Sequence, residues 1–272
     1  MRISAVVITH NEEANIEECL ASISWADEIV VVDAMSTDRT CEIARTFTDR
    51  VFRRPWEGYV AARRHGIEAA RSEWILAIDA DERVTPELRA EIETRLRDPE
   101  FDGYLIPRKA YFLGRWIRHC GWYPGRVLRL VRKDRVRVTE KMVHEGMRVD
   151  GRVGTLTNDI LHYTYRTVEA YFDRFNRYTS LAAKESQLRG KRASLADIVL
   201  RPVSQFLKMY VIKLGMLDGL EGFILCAFSA SYVFTKYVKI WRLGRGEGLS
   251  PQKAGPTEMP PPDEDGSHAA AK

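Results

Sequence analysis

The sequence predicts an α/β fold: a mostly parallel, Rossmann-like sheet over about residues 1–200, followed by a hydrophobic helical segment at about 201–245. Three observations predict it. Short β-branched runs alternate with stretches whose apolar residues recur at helical spacing. The runs are continuously apolar, as in strands covered on both faces. Polar clusters follow three of them, His10–Glu13, Asp33–Asp38 and Asp79–Glu82, at the carboxyl ends where open α/β sheets bind ligands.

Taken in order, Ile3–Ile8 (ISAVVI) reads as a buried strand rather than as part of a signal sequence. Asn11 is placed to cap a helix carrying Ile16, Cys19, Leu20 and Ile23. Glu28–Val32 (EIVVV) is the second strand and ends at Asp33; Ile43, Ala44 and Phe47 mark the helix that follows. Val51–Phe52 is a third short strand, and Tyr59, Ala62, Gly66 and Ala70 suit a helix lying close on a sheet. Trp74–Ile78 is the next strand. Thr85 before Pro86 is a strong helix start, with Leu88, Ile92 and Leu96 as its buried stripe. From Asp102 the strand-like pieces GYLIP, RVLRLV and RVRV alternate with Gly, Pro and aromatic residues. A helix is expected from Arg166 to about Gln187, with Tyr171, Phe175 and Tyr178 as a core stripe.

The hydrophobic share of 45% allows a large core, and the charged share of 29% does not suggest global disorder. Net charge is only +4, but Arg108–Lys141 holds eleven Lys/Arg against two acidic residues, and Arg201–Arg245 holds seven against two. Such zones suit anionic partners, or simply solvated faces. Cys19, Cys41, Cys120 and Cys226 form no CxxC pair, so a reducing, cytoplasmic setting and no zinc site are expected. The longest uncharged window near the C-terminus, Gly222–Thr235, has fourteen residues, short of the roughly 20 of a spanning helix. Its basic and aromatic margins suit helices lying in a membrane interface, with a packed hairpin or a dimer contact as the alternative. From 246 to 272 the chain is rich in Pro, Gly and charge and is expected to be disordered.

WILAIDADERV, Trp74–Val84, carries the chemistry: a buried strand that ends in Asp79, Asp81 and Glu82. Two aspartates one residue apart can hold Mg²⁺ or Mn²⁺ while substrate phosphates complete the shell, and such a cation neutralises a departing diphosphate. Asp33 can accept from a base N–H or a ribose hydroxyl. Thr9, Asn11 and Glu12 can line the same nucleoside pocket, although Asn11 and Glu12 also suit a helix start. VHEG, Val143–Gly146, offers Glu145 or His144 as a base for an attacking hydroxyl, and His162 is a further candidate on the rim. A dehydrogenase would want GxGxxG after the first strand, and a nucleotidyltransferase a glycine-rich phosphate loop; NEEAN stands there instead.

VVITHNEEANIEECLASISWADEIVVVDAMSTDRT, WILAIDADERV, GWYPGRVLRLVRK and VHEGMRVDGRVGTL, in this order, resemble glycosyltransferase family 2. Within it the chain is most similar to bacterial lipopolysaccharide core glucosyltransferases of the WaaE type, including at Gly215–Phe223 (GMLDGLEGF). The resemblance implies a GT-A fold, with a nucleotide-sugar half at about 1–100 and an acceptor half at about 101–200. It implies an inverting, metal-dependent transfer from a UDP-sugar, glucose in the nearest group, to an anionic lipid-linked saccharide such as the lipopolysaccharide inner core. The expected setting is peripheral, on the cytosolic face of the inner membrane, with no nucleic-acid partner. Thr9, Asn11, Glu12, Asp33 and Asp79 match the donor-binding segments, Asp79 and Asp81 the DxD metal motif with Asp81 the more direct ligand, and Glu145 the catalytic base. The chain reads His-Glu at 144–145 where relatives read Glu-Asp. Action on another polysaccharide or lipid carrier, or an inactive membrane-associated scaffold of the same fold, are the alternatives.

Overall fold

The computed structural model describes residues 1–139 and 146–246. Apart from Gly246, the tail expected to be disordered lies outside the described residues. These residues form two compact units: 1–109 with 125–139 and 146–162, and 110–124 with 163–246. The sequence pattern suggests a boundary near 200, whereas residues 110–124 and 163–200 pack with the C-terminal helices.

The strands are β1 (Ile3–Thr9), β2 (Glu28–Asp33), β3 (Val51–Arg53), β4 (Trp74–Asp79), β5 (Glu82–Val84), β6 (Gly103–Phe112), β7 (Arg115–Trp116), β8 (Gly125–Arg132), β9 (Val136–Thr139), β10 (Gly146–Val149), β11 (Val153–Thr155) and β12 (Ile160–Tyr165). The helices are α1 (Ile16–Ser22), α2 (Thr40–Arg45), α3 (Tyr59–Ala69), α4 (Pro86–Arg95), α5 (Val168–Leu188), α6 (Leu195–Leu207) and α7 (Gly219–Gly244). The main sheet runs β3-β2-β1-β4-β8-β6-β12-β5, with β11 and β7 also paired to β6. β3, β2, β1 and β4 are parallel, whereas β8 is antiparallel to β4 and β6, and β5 to β12. The result is a mixed sheet, parallel in its N-terminal half.

Side-chain alternation on the central strands explains why both faces are covered. Ala5 and Val7 of β1, Ile29 and Val31 of β2, and Trp74, Leu76 and Ile78 of β4 join a core with Ile16 and Leu20 of α1 and Leu88 and Ile92 of α4. Val6, Val30 and Ile75 point the other way, into a core with Ile67 of α3 and Ala70. α3 lies so close that a Cβ on Gly66 would stand 2.4 Å from Val6 Cγ1 and 3.2 Å from Val32 Cγ2. Thr85 caps α4 as expected, its Oγ1 accepting from Leu88 N–H at 3.1 Å. Asn11 does not cap α1, which starts five residues later with Asn15 as its flanking residue. All four cysteines are free and buried, as the scattered spacing suggests.

In the second unit, Phe112, Tyr165, Tyr171, Leu225 and Cys226 form the core. Asp218 accepts from Arg118 N–H, His119 N–H and His119 Nδ1 at 2.8–3.1 Å, which gives the GMLDGLEGF segment a structural job. Lys239 Nζ of α7 donates to Asn176 O and Oδ1, Thr179 Oγ1 and Ser180 Oγ at 2.7–2.9 Å and so clamps α7 to α5. Among the described residues one stretch, Gly215–Gly244, is long and apolar enough to cross a membrane by length and composition. It is longer than the uncharged window suggested, because Lys236 and Lys239 fall within the same continuous helix. α6 has no buried residue at all despite its apolar sequence.

Gly66→Val should lower stability by about 1–3 kcal/mol, since added carbons must displace Val6 in a filled core. A urea melt checks this, and an unchanged midpoint would show that α3 can lift from the sheet at little cost.

Candidate active site

Register brings the strand ends to one rim: Thr9 of β1 lies opposite Asp33 of β2, and Ile8 opposite Asp79 of β4. β1–α1 and β2–α2 loops are laced together there. Asn11 takes a left-handed φ of 53° and its N–H donates to Ser36 Oγ at 2.9 Å, while its Oδ1 accepts from Thr37 N–H at 2.9 Å. Glu12 N–H donates to Thr40 Oγ1 at 2.8 Å, and the Glu12 carboxylate holds Asn15 Nδ2 at 2.6 Å. Glu13 N–H reaches Asp38, and Arg39 N–H returns to Glu13. Asn11 and Glu12 thus build the rim through their polar atoms.

Asp33 is fully buried. It accepts from Ser36 N–H at 2.9 Å and from Ser36 Oγ, and Arg53 Nε stands 3.4 Å away. Burial, together with a hydrogen bond to Asp33, pushes the Cys41 thiol up to about 11. Thr9 Oγ1 at the sheet end is buried, with no hydrogen-bond partner among the described residues. Beside β2 a cavity of about 220 Å³ is lined by Asp33, Arg54, Trp56, Ala62, His65 and Glu68, among others. Whole-ligand pockets span roughly 300–1,000 Å³, so this one has room for a base or nucleoside rather than a complete nucleotide-sugar.

The acidic turn after β4 divides its carboxylates between two tasks. Asp79 accepts from Arg63 Nη2 at 2.9 Å and from Arg129 Nη2, which also holds Glu82 Oε1 at 2.7 Å. Glu82 Oε2 in turn accepts from Asp79 N–H at 3.0 Å, closing the turn. Arg83 Nη1 donates to Ala80 O and Glu82 O, which fixes it further. Burial pushes the Asp79 carboxyl up, but Arg129 and Arg63 outweigh it and hold it well below the usual carboxylate range. Burial likewise opposes the Arg129 charge, and Asp79 and Glu82 overcome it. Two carboxylates and two guanidiniums make a neutral buried quartet.

Asp81 points elsewhere. Its Oδ2 lies 3.3 Å from His162 Nε2, because antiparallel pairing of β12 with β5 sets His162 opposite Glu82. Among the described residues no cluster of three or more His, Cys, Asp or Glu is placed to hold a metal ion. A carboxylate oxygen and an imidazole nitrogen are nevertheless a fitting pair for a cation whose remaining ligands come from phosphate and water. The nitrogen favours Mn²⁺ over Mg²⁺, which keeps to oxygen. Asp79, expected as a second ligand, has both oxygens engaged by arginines instead.

Sequence reasoning left out Arg63 and Arg129 and gave His162 only a marginal place. Arg129 stands within the basic zone expected to meet anionic partners or solvent, yet it is buried, as is Arg108. The available signal was Arg129 within the apolar run RVLRLV of β8, where an unpaired charge would be costly. Glu145 and His144, the expected base candidates, lie outside the described residues.

A model of the family described as glycosyl transferase family 2 matches residues 4–148. The chain is 31% identical over 248 residues to a lipopolysaccharide core biosynthesis glycosyltransferase, LpsC, of Rhizobium meliloti (strain 1021), covering 88% of this chain and 92% of that one. It is 30% identical over 259 residues to an uncharacterized glycosyltransferase of Rickettsia typhi, covering 89% and 86%. Among solved structures it is similar to S. aureus TarS in complex with UDP-GlcNAc, with a TM-score of 0.45, 16% identity and coverage of 91% and 93%.

Arg129→Met should destabilise the protein by about 3–5 kcal/mol, because it strands two buried carboxylates. Asp79 has a depressed folded-state pKa, so its stabilisation is present above the unfolded value of about 3.9 and is lost as pH falls through the folded one. Denaturant midpoints of wild type and Asp79→Asn should therefore converge as pH falls below about 4, and a gap independent of pH would show that the charge is not what stabilises.

Proposed function

We propose, from the premise that this chain belongs to glycosyltransferase family 2, that it is an inverting, metal-dependent enzyme moving a sugar from a UDP-sugar to a lipid-linked saccharide. The observation that carries this reading is the Asp81–His162 pair, 3.3 Å apart beside the strand ends and separate from the arginine-bound Asp79. Mn²⁺ held by Asp81 and His162 would neutralise charge on the donor diphosphate.

The chain's own residues supply the rest. The cavity beside Asp33 takes the nucleoside end, with Thr9 Oγ1 as an unspent polar group on the same rim. The Asp79–Arg129–Glu82–Arg63 quartet holds the turn rigid, so that Asp81 keeps its aim without induced ordering. The acceptor hydroxyl attacks the anomeric carbon from the face opposite the diphosphate, and its proton passes to a carboxylate. The bond from the anomeric carbon to the diphosphate oxygen breaks, and the electron pair leaves with UDP. Glu145 is the proposed base on the strength of the family resemblance, with His144 as the alternative.

Glucose as the sugar and the lipopolysaccharide inner core as the acceptor follow the resemblance to the WaaE type; the similarity to LpsC, a lipopolysaccharide core biosynthesis glycosyltransferase, supports a lipopolysaccharide core acceptor. The exposed apolar faces of the C-terminal helices support work at a membrane surface, the cytosolic face of the inner membrane. Charge opposite an anionic acceptor comes from the exposed part of Arg108–Lys141, since Arg129 is spent internally, and Arg132 and Arg137 pair with Asp134 and Asp150.

Asp81→Asn and His162→Ala should each cut transfer at least about a hundredfold and abolish the thermal shift given by Mn²⁺ with UDP, with the metal-free melting temperature little changed. An intact Mn²⁺-dependent shift in both variants would remove this pair from the metal site. Glu145→Gln should keep UDP binding and lose transfer; unchanged turnover would move the base to His144.

A further inference from the structure

The second unit carries a cleft built from none of the residues of the strand-end site. The α5–α6 connection, α6 and the C-terminal half of α7 enclose about 350 Å³ lined by Lys191, Arg192, Arg201, Lys236 and Tyr237, with the carboxylate of Asp197 against them. Asp197 is already occupied. It accepts from Ser194 N–H and Oγ in the cap of α6, and from Arg201 Nε at 2.6 Å. Arg201 and Lys236 both stand over the Tyr237 ring, at 5.0 and 5.1 Å from its centroid, which keeps two cations beside the cleft. Lys191 and Arg192 have no ion-pair partner among the described residues. Four cations against one committed carboxylate leave a strongly anion-attracting hollow.

What occupies it is indicated by the helix beside it. With about 3.6 residues per turn, Leu195, Val199, Leu200 and Val203 share one face of α6, with Asp197 and Arg201 on its flank. That face is bare: Leu195 is 76% exposed and Leu200 62%. Soluble surfaces seldom leave such an apolar stripe open, whereas a helix lying in a bilayer interface buries it among acyl chains. A cation cluster flanking such a stripe then lies at the depth of the lipid phosphates.

We infer that this cleft binds the phosphate headgroup of an anionic phospholipid, with the acyl chains running along the apolar face of α6. The site seats the unit on negatively charged bilayer and rests on the membrane reading given above. It shares no residue with the donor site proposed above. Lys191 and Arg192 supply the direct charge to the phosphate, and Tyr237 holds Arg201 and Lys236 in place beside them.

The test is sedimentation of the full-length protein with vesicles of phosphatidylcholine alone and of phosphatidylcholine mixed with phosphatidylglycerol, at low salt. Wild type should prefer the anionic vesicles. Lys191→Ala/Arg192→Ala should weaken binding to them by roughly thirtyfold, at about fivefold per basic residue, while leaving the weaker binding to phosphatidylcholine as it was. Both side chains are exposed, and circular dichroism melting should show the variant as stable as wild type. A retained anionic preference in this variant overturns the cleft. So does release of wild type by inorganic phosphate at the concentration of the lipid phosphate, which would mark a site for free phosphate. Val199→Glu/Leu200→Glu addresses the underlying reading and should release the protein from both vesicle types. If that variant releases while Lys191→Ala/Arg192→Ala keeps its preference, the membrane reading stands and the cleft falls. If wild type sediments with neither vesicle, both fall.

Discussion

Arg129 holding Asp79 and Glu82 together is the interaction on which the rest of the site depends. Two carboxylates at the end of a buried parallel strand would repel each other and resist burial. Arg129 from β8 and Arg63 from α3 cancel both charges. The turn can then be held by its own groups: Glu82 accepts from Asp79 N–H, and Arg83 closes on Ala80 O and Glu82 O. In this frame Asp81 is aimed at His162. A buried ion cluster of this kind gains little net stability over an apolar one, but removing one member leaves charge with no partner. What the quartet secures is geometry.

The same economy runs through the first two loops. Asn11 and Glu12, expected to line a nucleoside pocket, tie one loop to the other through Ser36, Thr37 and Thr40, and Glu13 adds a bond to Asp38. A rim fixed this way loses little freedom when a ligand arrives, which is how preorganised sites gain affinity. The Thr9 hydroxyl, without a partner among the described residues, and the Asp33-side cavity are what the lacing leaves open.

The second unit follows a different logic. Its core is aromatic, and Asp218 and Lys239 anchor its pieces by short hydrogen bonds to backbone and hydroxyl groups. α6 contributes thirteen residues, none of them buried, so most of its apolar area is left for something other than this unit. Part of the basic composition seen here is consumed internally, Lys239 above all, and a smaller set of cations remains at the cleft.

The N-terminal strands, the helices between them and the Thr85 cap were legible because local pattern determines them: a continuously apolar β-branched run has few other fates, and a Thr-Pro start is a self-contained signal. The three polar strand ends were legible for the same reason, since parallel pairing must bring them to one side. The antiparallel half of the sheet was not, because pairing across fifty or more residues, as between Glu82 and His162, leaves no local trace. Nor could spacing tell Asp79 from Asp81. The two differ only in what the fold brings alongside, two guanidiniums for one and an imidazole for the other. Sequence by itself determined that carboxylates gather at the end of β4. Tertiary structure alone decided which of them is held by guanidiniums and which faces an imidazole, because the cost of a buried charge is set by neighbours distant in the chain.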